Sequence, residues 1–375
     1  MKKISFNIPL RLNSSIQNVN KFLKSKKPLH GPGKNIELIK KKIKKFYNFK
    51  NIHLTNSCTS ALEMSGLMLR LKKDDEIIVP AFSFITTASS FARTGCKLKY
   101  CDIQRTNLMP SFDQIKRCIN KKTKAIVIVH YQGYSVDYLD KLQSFCKKKK
   151  IILIEDAAQS FGAYFKNKPL GSFGDFACFS FHETKNLHSG LGGMLVVNNK
   201  KFIDQSCSVF DKGTNRYLVE RNKIKYYSWV DIGSSFMMSE LSASYLLPQI
   251  INHKKIFLFR KKLYLRYLKN FNGWLKDQFY LTNYHKYKYN YHAFVIVLKK
   301  NNREKFLDYL KLNKIQAVIS YTPLHKSKAG KKYYSKKDNL NKSNLHINRI
   351  VRLPLHNYLN IKEIDYISQK IKNYF

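Results

Sequence analysis

The residues best suited to chemistry sit in two short stretches. The apolar run Ile151-Ile152-Leu153-Ile154 leads straight into Glu155-Asp156-Ala157-Ala158-Gln159-Ser160, and Lys185 follows 29 residues after Asp156, within Ser180-Phe181-His182-Glu183-Thr184-Lys185-Asn186. Alone, a surface lysine and a helix-capping aspartate are the ordinary accounts of such residues. Together they suit pyridoxal phosphate. That cofactor needs a lysine to hold its aldehyde as an imine and a carboxylate to keep its ring nitrogen protonated. It also needs amides and hydroxyls at a helix start to cradle its phosphate, and an aromatic to cover its ring. Thr55-Asn56-Ser57-Cys58-Thr59-Ser60-Ala61-Leu62 supplies a small, hydroxyl-rich turn into a helix, and Pro80-Ala81-Phe82-Ser83-Phe84 supplies the aromatic.

Elements that could position these groups are readable from the pattern. The stretch to about Lys50 is helix-prone and polar, broken at His30-Gly31-Pro32-Gly33. From about Ile52 to Asn198, short β-branched runs alternate with helical segments. Strands are expected over 75–80, 97–102, 124–130 and 151–154, with an amphipathic helix over about 136–149. The continuous apolar run at 124–130 is that of a strand covered on both faces. This order implies parallel strands, whose ligands lie beyond the carboxyl ends. Past about Gln249 the pattern becomes a strand over 291–298, a helix over 302–311, a strand over 315–320 and a closing helix over 361–374. The expected organisation is a large α/β domain over 1–249, with a mostly parallel sheet flanked by helices, and a smaller α+β domain over 250–375.

Composition bounds the function classes. The chain has 375 residues, 44% hydrophobic, with 69 Lys+Arg against 24 Asp+Glu and a net charge of +45. That apolar content supports a core and excludes a disordered chain. No apolar run reaches the roughly 18 residues that span a bilayer, and the first residues lack a secretion signal. A cytoplasmic protein with no membrane partner is expected. The lysines are spread along the chain, and Lys, Asn and Ile are all products of A/T-rich codons. The runs Lys40-Lys41-Lys42-Ile43-Lys44-Lys45 and Lys147-Lys148-Lys149-Lys150 read as solvated helix faces, so no specific nucleic-acid partner is expected. Seven cysteines without a C-x-x-C pair argue against a zinc ribbon or a disulfide framework; no metal is expected.

Five ordered segments, Thr55–Leu62, Asp75–Thr87, Glu155–Gly162, Phe179–Gly193 and Tyr321–His325, resemble those of the nucleotide-sugar aminotransferases (the DegT/DnrJ/StrS-like family), pyridoxal phosphate enzymes of fold type I. The resemblance covers nearly the whole chain. It implies Lys185 as the lysine that holds pyridoxal 5′-phosphate and carries the proton, Asp156 at the pyridine nitrogen, Gln159 near the ring, and Phe84 stacked on it. Thr59, Ser60 and Ser180 would bind the phosphate. In many relatives an asparagine reaches the partner subunit's phosphate, with an arginine two residues later; here Ser235 and Met237 stand at those positions. A homodimer with active sites at the interface is the family expectation.

Within the family, the segments Ser180–Asn186, Lys212–Arg216, Trp229–Ser235 and Tyr321–His325 are most similar to the dTDP-4-amino-4,6-dideoxygalactose transaminases. The implied reaction moves the amino group of L-glutamate to dTDP-4-dehydro-6-deoxy-D-glucose, for bacterial surface glycans. Arg216 is the candidate for the nucleotide diphosphate, and Tyr321 and His325 for the sugar pocket. A C3 amine, or the gluco epimer at C4, remains open at this point. So does a basic nucleic-acid-binding or regulatory protein that keeps the aminotransferase shape.

Overall fold

The computed structural model describes residues 2–272, 278–282, 287–300, 302–335 and 338–375. Nine strands precede residue 200: β1 Ile52–Thr55, β2 Glu76–Pro80, β3 Lys97–Cys101, β4 Thr123–Val129, β5 Ile152–Asp156, β6 Tyr164–Phe165, β7 Lys168–Pro169, β8 Phe176–Ser180 and β9 Gly193–Val197. Seven form one sheet in the order β1-β9-β8-β5-β4-β2-β3, and β6 and β7 pair separately. β9 runs antiparallel to both its neighbours, and the remaining pairings are parallel. All strands of the sheet except β9 therefore point the same way.

Alternation along these strands divides the core into two faces. Ile77, Val79, Ala125, Val127 and Ile154 pack with Leu62, Met64 and Phe91 of helices Cys58–Met68 and Thr86–Ala92. Ile78, Ile126, Ile128 and Leu153 pack on the other face with Leu139, Leu142 and Cys146 of helix Leu139–Lys149. Helices Lys34–Tyr47 and Glu240–Ile251 extend that second layer over Ala177, Phe179, Met194 and Val196. The expected strands are all present, while the helix expected from about 136 starts at Leu139.

A second sheet follows, in the order β10-β11-β13-β12, with β10 Phe279–Leu281, β11 Phe294–Leu298, β12 Val318–Ile319 and β13 Ile350–Leu353. Its strands are antiparallel neighbours. Helix His253–Phe271 leads into it, and helices Arg303–Leu312 and Ile361–Tyr374 accompany it. The strand expected over 315–320 is only two residues long. Ahead of it the backbone pairs with the N-terminal segment: Ile4 N donates to Lys314 O at 2.8 Å, and Gln316 N donates to Ile4 O at 2.9 Å.

The end of β5 illustrates how the sheet sorts its side chains. Adjacent residues point to opposite faces, so Glu155 and Asp156 part company. Glu155 is fully buried and accepts from the backbone N–H groups of Gly171 (2.8 Å), Phe173 (2.7 Å) and Gly174 (2.6 Å), and lies 2.8 Å from His130 Nε2. It fastens the turn before β8 to the end of β4, and so sets where Asp156 emerges. Glu155→Ala leaves these donors unpaired in the interior. We expect a loss of about 3 kcal/mol or more, read as a lower urea midpoint, with Glu155→Gln less affected. An unchanged midpoint would contradict this role.

Candidate active site

The carboxyl ends of β1, β2, β4, β5 and β8 open onto one cavity of about 520 Å³, within the range of small-molecule sites. Lys185, Asp156, Gln159, Phe84, Thr59, Ser180 and Tyr321 all line it. The sheet thus collects side chains more than 250 residues apart in sequence.

Asp156 sits at the cavity floor, almost fully buried. Thr87 Oγ1 donates to its Oδ2 at 2.6 Å and Ala158 N to its Oδ1 at 3.2 Å. Burial pushes its carboxyl above the usual range, against the pull of these two donors and of Lys185. A carboxylate so placed gains most from a cation beside it. Burial, helped by the nearby Arg352 guanidinium, lowers the Lys185 ammonium to about 8, with Cys58 and Asp156 opposing the shift. An amine poised this close to neutrality can act as a nucleophile and as a proton carrier.

The phosphate-sized corner lies at the start of helix Cys58–Met68. Ser57 caps that helix, its Oγ accepting from Ser60 N at 3.0 Å. The first-turn amides have no carbonyl partner within the helix and form an anion site. Thr59 faces the cavity there, and Ser180 faces it from the end of β8. Ser60 works one step back: its hydroxyl bonds Asn56 Oδ1 and lies 2.9 Å from Ser57 Oγ, holding the cap together. The close approach of this turn to β9 requires Gly193. A Cβ on it would lie 2.3 Å from the Ser57 carbonyl carbon and 2.4 Å from Cys58 N.

Tyr321 arrives from the C-terminal part of the chain. Its loop is tied down by Leu324 N donating to Ala81 O at 2.7 Å. Its ring packs among Phe82, Phe84 and Tyr131 with centroids 5.6–6.0 Å away. Gln159 Nε2 donates to its hydroxyl at 2.5 Å, while Gln159 Oε1 accepts from Gln132 N at 2.6 Å. Gln159 is therefore fixed in orientation at the cavity edge. Phe84 is 54% exposed, an aromatic with one open face.

Four of the expected residues do not line the cavity: Ser60, already described behind the cap, and Arg216, His325 and Ser235. Arg216 pairs with Asp211 Oδ2 at 3.3 Å and stacks over Tyr227 at 4.3 Å. His325 is buried, with Nε2 2.8 Å from Asn344 Oδ1 and its ring beside Tyr100 and Tyr334. Ser235 is exposed and its carbonyl accepts from Asn56 Nδ2 at 3.3 Å, so it borders the phosphate-sized corner through its backbone. Conversely, Thr87, His182 and Arg352 line the cavity and were not anticipated as site residues. Thr87 was legible only as part of the matched segment Asp75–Thr87. Arg352 lies in the middle of β13, in a stretch with no motif around it. It forms no ion pair among the described residues; its guanidinium lies 5.1 Å from the centroid of Phe6.

The donor set fits pyridoxal phosphate: an amine near neutrality, a buried carboxylate short of a cation, and amides and hydroxyls gathered at a helix start. Gly193→Ala would push the helix start away from β9. We expect cofactor affinity to fall at least about fivefold, as overpacking of 1–3 kcal/mol implies, measured by fluorescence titration of the cofactor-free protein. Unaltered affinity would contradict this.

Residues 11–372 match the family model described as the DegT/DnrJ/EryC1/StrS aminotransferase family. GDP-perosamine synthase of Vibrio cholerae is 27% identical over 350 residues, 92% of this chain and 91% of its own. The spore coat polysaccharide biosynthesis protein SpsC of Bacillus subtilis is 30% identical over 252 residues, 66% of this chain and 64% of its own. Among solved structures, Helicobacter pylori PseC, an aminotransferase involved in the biosynthesis of pseudoaminic acid, superposes with a TM-score of 0.90 at 24% identity, covering 100% of this chain and 99% of its own. That likeness supports the fold-type-I architecture described above. The chain belongs to the DegT/DnrJ/EryC1/StrS aminotransferase family, whose cofactor is pyridoxal 5′-phosphate.

Proposed function

We propose that this enzyme transfers the amino group of L-glutamate to the C4 ketone of a nucleotide-linked 4-keto-6-deoxy sugar. Our first candidate is dTDP-4-dehydro-6-deoxy-D-glucose, giving dTDP-4-amino-4,6-dideoxy-D-galactose and 2-oxoglutarate. The observation that carries the reading is one cavity holding Lys185, with its ammonium lowered to about 8, and the buried Asp156. The likeness of Lys212–Arg216 and Trp229–Ser235 to the dTDP-4-amino-4,6-dideoxygalactose transaminases supports the acceptor. A GDP-linked acceptor is the second reading, favoured by the match to GDP-perosamine synthase along nine-tenths of both chains.

When bound, pyridoxal phosphate supplies the carbon that carries the amino group and a ring that delocalises the electron pair left by proton loss. In this reading Asp156 holds a proton at the ring nitrogen through a charge-assisted bond worth about 1.5–3 kcal/mol. Thr87 and Ala158 N hold the Asp156 carboxylate in place. Lys185 Nζ takes the proton from the α-carbon of L-glutamate in the first half of the cycle and returns one to C4 of the sugar in the second. Thr59 and Ser180 bind the phosphate with the first-turn amides of helix Cys58–Met68, and Ser60 supports the cap. Phe84 covers one ring face, and Gln159 orients beside the ring with Tyr321.

Arg352, with no carboxylate partner among the described residues, is our candidate for an anionic group of the substrate, by a bidentate contact. Arg216, outside this chain's cavity, belongs to the same proposal as a nucleotide contact made across a dimer interface, while His325, buried beside Tyr100 and Tyr334, supports the Tyr321 turn. The division at 249/250, cytoplasmic location and a homodimer belong to the same proposal. The dimer is supported by Tyr226, Trp229 and Ile232, exposed at 77%, 80% and 68% beside Ser235.

Two measurements test this reading. NMR of the product from L-glutamate and each nucleotide sugar should show an axial C4 amine on the dTDP-linked sugar. An equatorial amine, a C3 amine, or turnover of the GDP-linked sugar alone would overturn the first candidate. The rate of pyridoxal phosphate capture by the cofactor-free protein should rise with pH as Lys185 loses its proton near pH 8, then level off. Removing a nearby positive charge favours the ammonium form, so Arg352→Gln should move that inflection to higher pH. A flat profile, or an inflection that Arg352→Gln leaves in place, would contradict the electrostatic account.

A further inference from the structure

Helix His253–Phe271 carries an outer face that neither the fold nor the active site uses. Its inner face is committed: Ile256, Phe257, Arg260, Leu263, Tyr264, Tyr267 and Phe271 are buried. Its outer face exposes Leu258 (63%), Phe259 (41%) and Leu265 (46%), and Ile251 (48%) continues it at the end of the preceding helix. Leu258 and Leu265 are seven residues apart, two helical turns, so they lie on one stripe; Ile251 ends the preceding helix, just before the turn at Asn252. Lys254, Lys255, Lys261, Lys262 and Lys269 are exposed around that stripe and form no ion pair with described residues. The helix contains no Asp or Glu.

Two other surfaces isolate the meaning of this combination. The lysine run 147–150 is exposed without any large exposed apolar residue beside it. Helix Asn13–Lys24 exposes Ile16 among the uncharged Asn13, Ser14, Gln17 and Asn20, and sets Leu23 beside Lys21 and Lys24 only in its last turn. Of these three surfaces, His253–Phe271 is the one on which exposed aliphatic side chains and unpaired lysines run together for several helical turns. A nucleic-acid backbone would use the lysines and leave the leucines in water. A second copy of the same face would set lysine against lysine. An anionic bilayer satisfies both groups: acyl chains take the leucines while lipid headgroups take the ammonium groups.

We infer that the outer face of helix His253–Phe271 seats this protein on an anionic lipid surface, as a peripheral contact. The rest of the +45 charge adds a long-range attraction that does not select the face. This contact is independent of the aminotransferase reading, since Leu258 and Leu265 lie outside the cavity.

Flotation of the full-length, cofactor-loaded protein tests it, using vesicles of phosphatidylglycerol and phosphatidylcholine against vesicles of phosphatidylcholine alone, at physiological salt. Binding should require phosphatidylglycerol. Leu258→Asn/Leu265→Asn should weaken it at least about tenfold, as loss of buried leucine surface implies. Lys261→Gln/Lys262→Gln should weaken it about fivefold per lysine, and Lys147→Gln/Lys148→Gln much less. Release of 2-oxoglutarate from L-glutamate in solution should be equal in all variants, which controls for folding. The inference is overturned if no binding occurs, or if the two lysine pairs contribute equally and the leucine pair nothing, which is diffuse charge alone. It is also overturned if the leucine substitutions change only the oligomeric state by light scattering, or only binding to an oligonucleotide.

Discussion

Water is the enemy of a lysine that must act as a nucleophile near neutral pH, because hydration stabilises its ammonium form. The cavity at the strand ends removes that stabilisation, and Arg352 adds repulsion, so the Lys185 ammonium falls to about 8. The same burial acts on Asp156 in the opposite sense and raises its carboxyl. Burial thus disfavours the charged form of each group, and each partly offsets the shift of the other. A cationic ring nitrogen beside Asp156 would relieve the larger part of that penalty, which is why the pocket suits a pyridine cofactor better than a neutral ligand. The surrounding architecture serves this arrangement. Thr87 and Ala158 fix the carboxylate, Glu155 ties the neighbouring turn, and Gly193 lets the anion-binding helix start approach β9.

Much of this was legible because parallel sheets write their strands plainly. The run at 124–130 reads as a strand covered on both faces, and the structure buries 125–129 on both. The acidic pair ending β5 and the Ser180–Asn186 stretch are local signals, so Lys185, Asp156, Gln159 and Ser180 could be found without knowing the topology. What resisted reading depends on contacts between distant segments. The role of Glu155 is set by the 171–174 turn, which no local pattern links to β5. Arg352 sits in Ile350-Val351-Arg352-Leu353, where a lone arginine reads as the solvent side of an edge. Only the placement of β13 between β11 and β12 brings it to the cavity. The strand expected over 315–320 is shortened for a similar reason, since Lys314 and Gln316 bond to Ile4, over 300 residues earlier.

Arg216, His325 and Ser235 lie outside the cavity of this one chain, and motif likeness alone does not say what their side chains touch. A turn can match in sequence while its side chains serve local packing, as His325 does between Tyr100 and Tyr334. The large positive charge divides similarly. Some lysines answer carboxylates, as Lys99 does with Asp338 and Lys97 with Asp74. Others form an unopposed field that draws anionic substrates toward the protein. The lysines of His253–Phe271 differ from the rest in being joined to exposed leucines.

The central claim is that one lysine, Lys185, holds the cofactor aldehyde. Borohydride reduction of the pyridoxal phosphate-loaded protein, followed by proteolysis and peptide mass mapping, tests it directly. The account predicts a pyridoxyl label on Lys185 and its absence from Lys185→Ala. A label on any other lysine, or none at all, would contradict it.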